Sequence, residues 1–229
     1  MVPVKYWRLH ILGNEYMLNF FRLHTAMVIL FTGSFATAED AAEQLLTLLR
    51  PIDSLTANFE QQSLDKNGKL LQQQTGNFVI KRSGEFFWSV KPPYEQHIIS
   101  DGRVINIYDP DLEQLTIKSI DQKTQMIPLL LFSNNIHEII SQYAVSQIEA
   151  GSKPVFELKP RHNGNLFDRL AITFSLGKSG SLPIQLEIID SLRQITRIRF
   201  DKALLNRSVD PKIFLFSVPE GVDVIDERR

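Results

Sequence analysis

The spacing of apolar residues changes period along this chain, and each change marks a structural element. In residues 40–49, Leu45, Leu46, Leu48 and Leu49 fall on one side of a helix. Asp40-Ala41-Ala42-Glu43 stands before them in capping-box form, and Pro51 sets the end. The period then drops to two: Leu55, Ala57 and Phe59 alternate with Thr56, Asn58 and Glu60, and Asn67-Gly68 is a hairpin-type turn. Ser83-Gly84, Pro92-Pro93, Asp101-Gly102 and Asp109-Pro110 punctuate short segments rich in Phe, Ile, Val and Tyr, the spacing of an antiparallel meander. Residues 143–149, 154–160, 166–176, 182–190 and 192–200 repeat it, with turns at Gly151, Asn163-Gly164, Gly177 to Gly180 and Asp190-Ser191. The exception is residues 124–142, where Met126 to Phe132 is apolar without alternation and Ile136, Ile139, Ile140 and Tyr143 follow at helical spacing. This pattern predicts one domain of mainly β structure with some α: a large, curved antiparallel sheet of about eleven strands with short helices against its concave face.

The beginning of the chain follows a different logic. From Met17, one arginine (Arg22) precedes the apolar run Ala26 to Phe31, which is too short to span a bilayer, and Ala36-Thr37-Ala38 follows. These are the regions of a cleavable secretory signal over residues 17–38, with cleavage expected between Ala38 and Glu39. Residues 1–16 then read as an upstream extension or a misassigned start, and 39–229 as the single mature domain. Without the first 38 residues, 22 basic residues face 25 acidic ones, a net charge of −3. Such a balance gives no electrostatic footprint for nucleic acid and no general attraction to anionic lipid. The chain has no cysteine, so disulfides, cysteine-based metal sites and a lipid-anchored amino terminus all drop out.

The search for catalytic chemistry finds little. His97, His137 and His162 are scattered over a strand, a helix and a loop with no ligand spacing, so no metal and no cofactor are expected. Gly177-Lys178-Ser179 resembles the end of a phosphate loop, but Ile172 stands where a glycine is required, and Ser181 breaks the nucleophile-elbow pattern. Asp109 and Asp111 flank a proline turn and read as turn formers. Asn206-Arg207-Ser208 has the form of a glycosylation sequon, a signal of little weight. No hydrolase constellation survives, and the chain reads as a binding protein.

One stripe stands out. Phe78, Ile80 and Arg82 share a strand face before the Ser83-Gly84 turn, and Phe86, Trp88 and Val90 follow it. A guanidinium continuing an apolar stripe either keeps its head in water at the strand end or finds acceptors. Pro128 would free carbonyls in a helix over residues 124–132, and Arg82 could take them. It would then latch an apolar lid carrying Leu129, Leu130 and Phe132 over the stripe.

Taken together, Phe59-Glu60-Gln61, Lys81-Arg82 with Phe86 and Trp88, Pro93, Ser100-Asp101-Gly102, Tyr108-Asp109-Pro110, Glu113-Gln114, Asn163-Gly164-Asn165 and the ending Pro219 to Arg229 resemble the outer-membrane lipoprotein carrier (LolA) family across the whole mature chain. The resemblance implies an incomplete antiparallel barrel lidded by helices. It also implies a periplasmic monomer whose apolar cavity takes lipoprotein acyl chains from an inner-membrane ABC transporter and passes them to the outer-membrane receptor LolB. In the family, an arginine matching Arg82 holds lid-helix backbone, and an aromatic residue matching Phe86, near the cavity mouth, accepts cargo. Ser83 departs from the family's frequent proline, which points to a looser turn after Arg82. A periplasmic carrier or sensor of free lipids on the same fold stays open as an alternative, and a hydrolase is a remote one.

Overall fold

The computed structural model describes residues 38–120, 136–162, 167–177 and 180–228. Residues 1–37, which hold most of the expected leader, and 121–135, which hold Pro128, Leu129, Leu130 and Phe132, lie outside them. Helix α1 (Ala38–Leu49) leads into β1 (Ser54–Leu64), β2 (Leu70–Lys81), β3 (Glu85–Val90), β4 (Gln96–Asp101), β5 (Val104–Asp109) and β6 (Gln114–Ser119). A short helix α2 (Ile136–Ser141) precedes β7 (Tyr143–Glu149), β8 (Val155–Pro160), β9 (Arg169–Gly177), β10 (Gly180–Ile189) and β11 (Ile195–Leu205). A 3-10 turn (Pro211–Phe214) and β12 (Asp223–Asp226) end the chain.

All twelve strands form one sheet in the order β12-β6-β5-β4-β3-β2-β1-β11-β10-β9-β8-β7. Two meanders are therefore joined through the β1–β11 pair, and the end strands β12 and β7 do not meet, so the barrel is unclosed. The sequence pattern finds eleven of these strands. The twelfth, β12, pairs parallel with β6 from Asp223↔Gln114 to Asp226↔Ile117. Its aspartates are poor strand formers, and main-chain pairing rather than alternation makes it a strand. Helix α1 also begins two residues earlier than its capping-box signature suggests. Asp40 consequently sits in the first turn, where a carboxylate still favours the positive end of the helix dipole.

Why the inner face holds together follows from the register. Leu55, Ala57 and Phe59 of β1, Phe78 and Ile80 of β2, and Phe86, Trp88 and Val90 of β3 are all buried, and α1 lays Ala41, Leu45 and Leu49 into the same core. Trp88 is opposite Phe78 and Phe86 opposite Ile80 across the β2–β3 pair, while Phe59 faces Phe200 of β11. The Phe59 ring stacks on Trp88 at 3.8 Å between centroids, and Phe78 lies 5.4 Å from Trp88 and 5.1 Å from Phe200. This aromatic ladder ties β11, β1, β2 and β3 together, each ring pair adding about 0.5–1.5 kcal/mol beyond burial. It depends on Gly76, the cross-strand partner of Phe59. A Cβ there would collide with the Ser89 carbonyl and meet the Phe59 ring at 2.5 Å.

The opposite face carries charge. Buried Glu157 on β8 accepts from Lys159 and Arg169, and Arg169 also reaches Glu187 on β10 at 3.3 Å, which Arg197 of β11 holds at 2.8 Å. The hydrogen bond from Lys159, followed by that from Arg169, holds the Glu157 carboxyl below its ordinary value of 4.5.

Two outcomes test this description. Gly76→Ala should lower stability by about 1–3 kcal/mol, read as a lower urea midpoint at unchanged slope; an unchanged midpoint would show that the ladder is not packed against this glycine. For Glu157, the folded pKa is depressed, so its contribution is present above the unfolded value and lost as pH falls through the folded one. Wild type should therefore lose more stability than Glu157→Gln between pH 5 and pH 3 in parallel urea titrations, and parallel pH curves would refute the assignment.

Candidate functional site

Where α1 turns into β1, the chain must dispose of the carbonyls that a helix end leaves without intrahelical partners. Pro51 stops the helix, and Arg50 to Asp53 cannot yet pair as a strand. Two side chains from distant strands solve the problem. The Arg82 Nη2 donates to the carbonyls of Leu49 at 2.7 Å, Arg50 at 3.2 Å and Ile52 at 2.5 Å. One nitrogen has two hydrogens for these three oxygens, so at least one hydrogen is shared. The Arg82 Nε lies 3.6 Å from Asp53, and the Arg82 amide donates to the Asp53 carbonyl at 2.8 Å. The fourth carbonyl, Pro51, accepts from the Asn206 Nδ2 at 2.8 Å, while the Asn206 Oδ1 accepts the amides of Asp53 at 2.8 Å and Ser54 at 3.1 Å.

Every carbonyl from Leu49 to Ile52 is thus held by Arg82 or Asn206. The arginine also places its charge at the negative end of α1, where the helix dipole favours a cation. Asn206 reaches its position because its backbone is left-handed, φ +55°, a conformation asparagine tolerates at the end of a strand.

Arg82 is positioned by its turn. Gly84, at φ +98°, closes the turn with its amide on the Lys81 carbonyl at 3.0 Å. The Ser83 hydroxyl donates to the Glu85 carboxylate, which also pairs with Lys81 at 3.1 Å. Those two contacts, Ser83 first, hold the Glu85 carboxyl below its usual range. The serine that stands in place of proline therefore supplies a hydrogen bond to the turn.

The structure places Phe78, Ile80, Phe86 and Trp88 together in one buried core, which α1 shares through Leu45 and Leu49. Phe86 is fully buried and stacked on Trp88 at 6.1 Å. The latch acceptors expected in residues 124–132, with Leu129, Leu130 and Phe132, lie outside the described residues; among the described residues, Arg82 donates to carbonyls at the end of α1. A cleft of about 280 Å³ opens away from the stripe, between Thr47 and Leu48 of α1 and Gln147, Pro154, Phe156 and Leu176 of β7 to β9. The α1 and α2 helices meet through Arg50, whose Nε donates to His137 at 3.3 Å and whose Nη2 pairs with Glu43 at 2.9 Å. His97 pairs with Glu95 and stacks near Tyr108, and Asp109 accepts the Leu112 amide as a turn former. No cluster of metal-binding side chains occurs among the described residues.

Asn206 escaped the sequence reading except as part of a sequon. Its contacts are 152 to 155 residues away, and its only local signal is an asparagine at a strand end.

An open sheet with a buried aromatic inner face and a helix tethered by its terminal carbonyls defines a class of proteins with a covered apolar face. The model of the family described as outer membrane lipoprotein carrier protein LolA matches residues 50–217, and the chain belongs to that family. It is 41% identical over 196 residues to the outer-membrane lipoprotein carrier protein of Pseudomonas paraeruginosa, covering 85% of this chain and 92% of the relative. To the carrier of Azotobacter vinelandii it is 38% identical over 211 residues, covering 92% and 100%. A crystal structure of a conserved protein from Thermus thermophilus shares the fold, with a TM-score of 0.51 at 10% identity over 81% of this chain and 99% of that one.

The clamp makes a prediction of its own. Asn206→Gly keeps the left-handed backbone and deletes three hydrogen bonds, and should cost about 1–3 kcal/mol. Arg82→Leu should cost a comparable amount, and the double variant less than the sum, because both side chains order the same four residues. Strict additivity in urea melts would show that they act on separate structures.

Proposed function

We propose that this chain carries outer-membrane lipoproteins through the periplasm, sheltering their acyl chains between the aromatic face of the sheet and its helical cover. The observation that carries the reading is the Arg82 guanidinium seated on the carbonyls at the end of α1, beside a buried stripe of Phe78, Ile80, Phe86 and Trp88. It is supported by membership of the LolA family and by relatives named for this role. Cleavage after Ala38 would free the domain for this work. An inner-membrane ABC transporter would supply the cargo and the receptor LolB would accept it.

The energetics require a cover that opens. Exposing one chain of about 16 carbons to water costs on the order of 12 kcal/mol, at roughly 0.8 kcal/mol per methylene. Unescorted crossing is therefore excluded, and a rigid apolar pocket would hold its cargo too well to deliver it. The stripe is buried in the same core as Leu45 and Leu49 of α1, so acyl chains reach it only by displacing what buries it, α1 among them. Displacement breaks the Arg82 bonds, each hydrogen bond to a charged group contributing about 1.5–3 kcal/mol. That opening cost is subtracted from the affinity for cargo and returned at release. Phe86 meets cargo only once the cover has moved.

The processed protein, added to spheroplasts bearing a labelled triacylated outer-membrane lipoprotein, should bring the label into the supernatant as a one-to-one complex. Failure of folded protein to do so, beside a working carrier, would shift the reading to free lipids as ligand. Arg82→Leu should still collect the lipoprotein but pass it to LolB on the order of tenfold less well, measured as label reaching outer membranes; normal transfer would overturn the latch.

A further inference from the structure

Two hairpins at one end of the sheet close with the same turn. In the β1–β2 hairpin, the Asp65 amide donates to the Lys69 carbonyl at 2.9 Å and the Gly68 amide to the Asp65 carbonyl at 2.9 Å. The Asp65 Oδ1 accepts the amides of Asn67 at 2.8 Å and Lys69 at 2.9 Å. In the β10–β11 hairpin, Asp190 repeats each bond: its amide to the Gln194 carbonyl at 3.1 Å, the Arg193 amide to its carbonyl at 3.0 Å, and its Oδ1 to the amides of Leu192 and Gln194 at 2.9 and 2.8 Å. The two tips are neighbours, because β1 pairs with β11 up to Leu64↔Ile195. The β1–β2 tip also projects, since Leu70 to Gln74 of β2 lie beyond the last β2–β3 pair, Gly76↔Val90.

Both aspartates are occupied with backbone amides, whereas the outward residues are cationic and apolar. Lys66, Lys69 and Arg193 are exposed, and none of them takes part in a salt bridge among the described residues, in contrast to Arg169 and Arg197 nearby. Leu192 at an apex is 72% exposed, and Leu70 and Leu71 below the other tip are 48% and 55% exposed. A row of partly exposed apolar residues, Leu70, Leu64, Ile195 and Ile189, crosses four strands beneath them. Arg193 occupies the position that Gly68 fills in the twin turn, at φ +63° against +81°. A residue that strains the turn and lifts a guanidinium to its tip is there for that cation, since glycine would close the turn more easily. Basic tips on an acidic chain, with leucines at the apex and no pocket around them, match a planar anionic and apolar surface.

We infer that the paired tips of the β1–β2 and β10–β11 hairpins dock on anionic phospholipid bilayers, with Leu192, Leu70 and Leu71 entering the headgroup boundary and Lys66, Lys69 and Arg193 facing lipid phosphates. A carrier that collects and delivers at membranes would use such a foot to orient itself, but the docking itself needs no cargo.

The test uses processed protein without lipoprotein, sedimented with phosphatidylethanolamine vesicles containing about one third phosphatidylglycerol, or with phosphatidylcholine alone. Binding should favour the anionic vesicles and weaken in high salt. Arg193→Gly should lower the partition coefficient about fivefold while leaving the melting temperature unchanged or raised, a pairing that a structural role for Arg193 does not produce. Leu192→Asp should lower it about tenfold. Leu112→Asp should have no effect: Leu112 is 68% exposed at the same end of the sheet, but Asp109, Asp111 and Glu113 surround it in the β5–β6 turn. No binding to anionic vesicles, equal binding to both lipids, or equal losses for Leu112→Asp and Leu192→Asp would overturn the inference.

Discussion

The four carbonyls from Leu49 to Ile52 are the hinge on which this structure turns. A helix that stops at a proline leaves acceptors behind, and those of Leu49 and Ile52, partly withdrawn from water, need partners within the protein. Arg82 comes to them from the end of β2 and Asn206 from the end of β11, the two strands that flank β1. Because β2 and β11 are both fixed to β1 by long registers, the clamp is built on the centre of the sheet, and the end of α1 is anchored there by its carbonyls as well as by its own leucines in the core. Position and cover are thus set by the same few atoms.

A polar clamp suits a cover that must open. Apolar contacts lose stability in proportion to the surface exposed, so a helix held only by leucines would stay shut against anything less apolar than itself. Hydrogen bonds to a guanidinium can be exchanged for bonds to water, since arginine is weakly hydrated and always charged, and the exchange is reversible. The Ser83–Glu85–Lys81 contacts brace the turn that carries the arginine.

Much of this was legible before any coordinates. Alternation located eleven strands because each has one buried face, and the Phe78–Ile80–Arg82 and Phe86–Trp88 stripes fell on that face because the β2–β3 turn is short enough to preserve the register. Arg82 announced itself as a charge continuing an apolar row. The remainder was written in distance or in main chain. Asn206 meets residues more than 150 positions away, β12 pairs through its backbone with exposed side chains, and nothing in Arg82's neighbourhood told the end of α1 from any other set of free carbonyls. The twin Asp65 and Asp190 turns share no obvious motif, because one uses Gly68 and the other Arg193 for the same left-handed step.

The sheet's failure to close is what makes a cover possible, and it leaves two edges that must not recruit another chain. They are protected in different ways. Strand β7 has α1 packed against it, so its free backbone lies beside a helix and the cleft at Leu48 and Phe156. Strand β12 is only four residues long and carries charge: Arg228 pairs with Asp226, whose pKa it lowers to about 2, and Glu227 pairs with Lys118 of β6 at 3.0 Å. Phe214 lies under Lys81 of β2 and Phe216 beside Tyr108 of β5, so the segment that leads into the last strand is strapped to the sheet at two points. The two edges of the sheet are thus guarded by different means, a packed helix at β7 and short, charged pairing at β12.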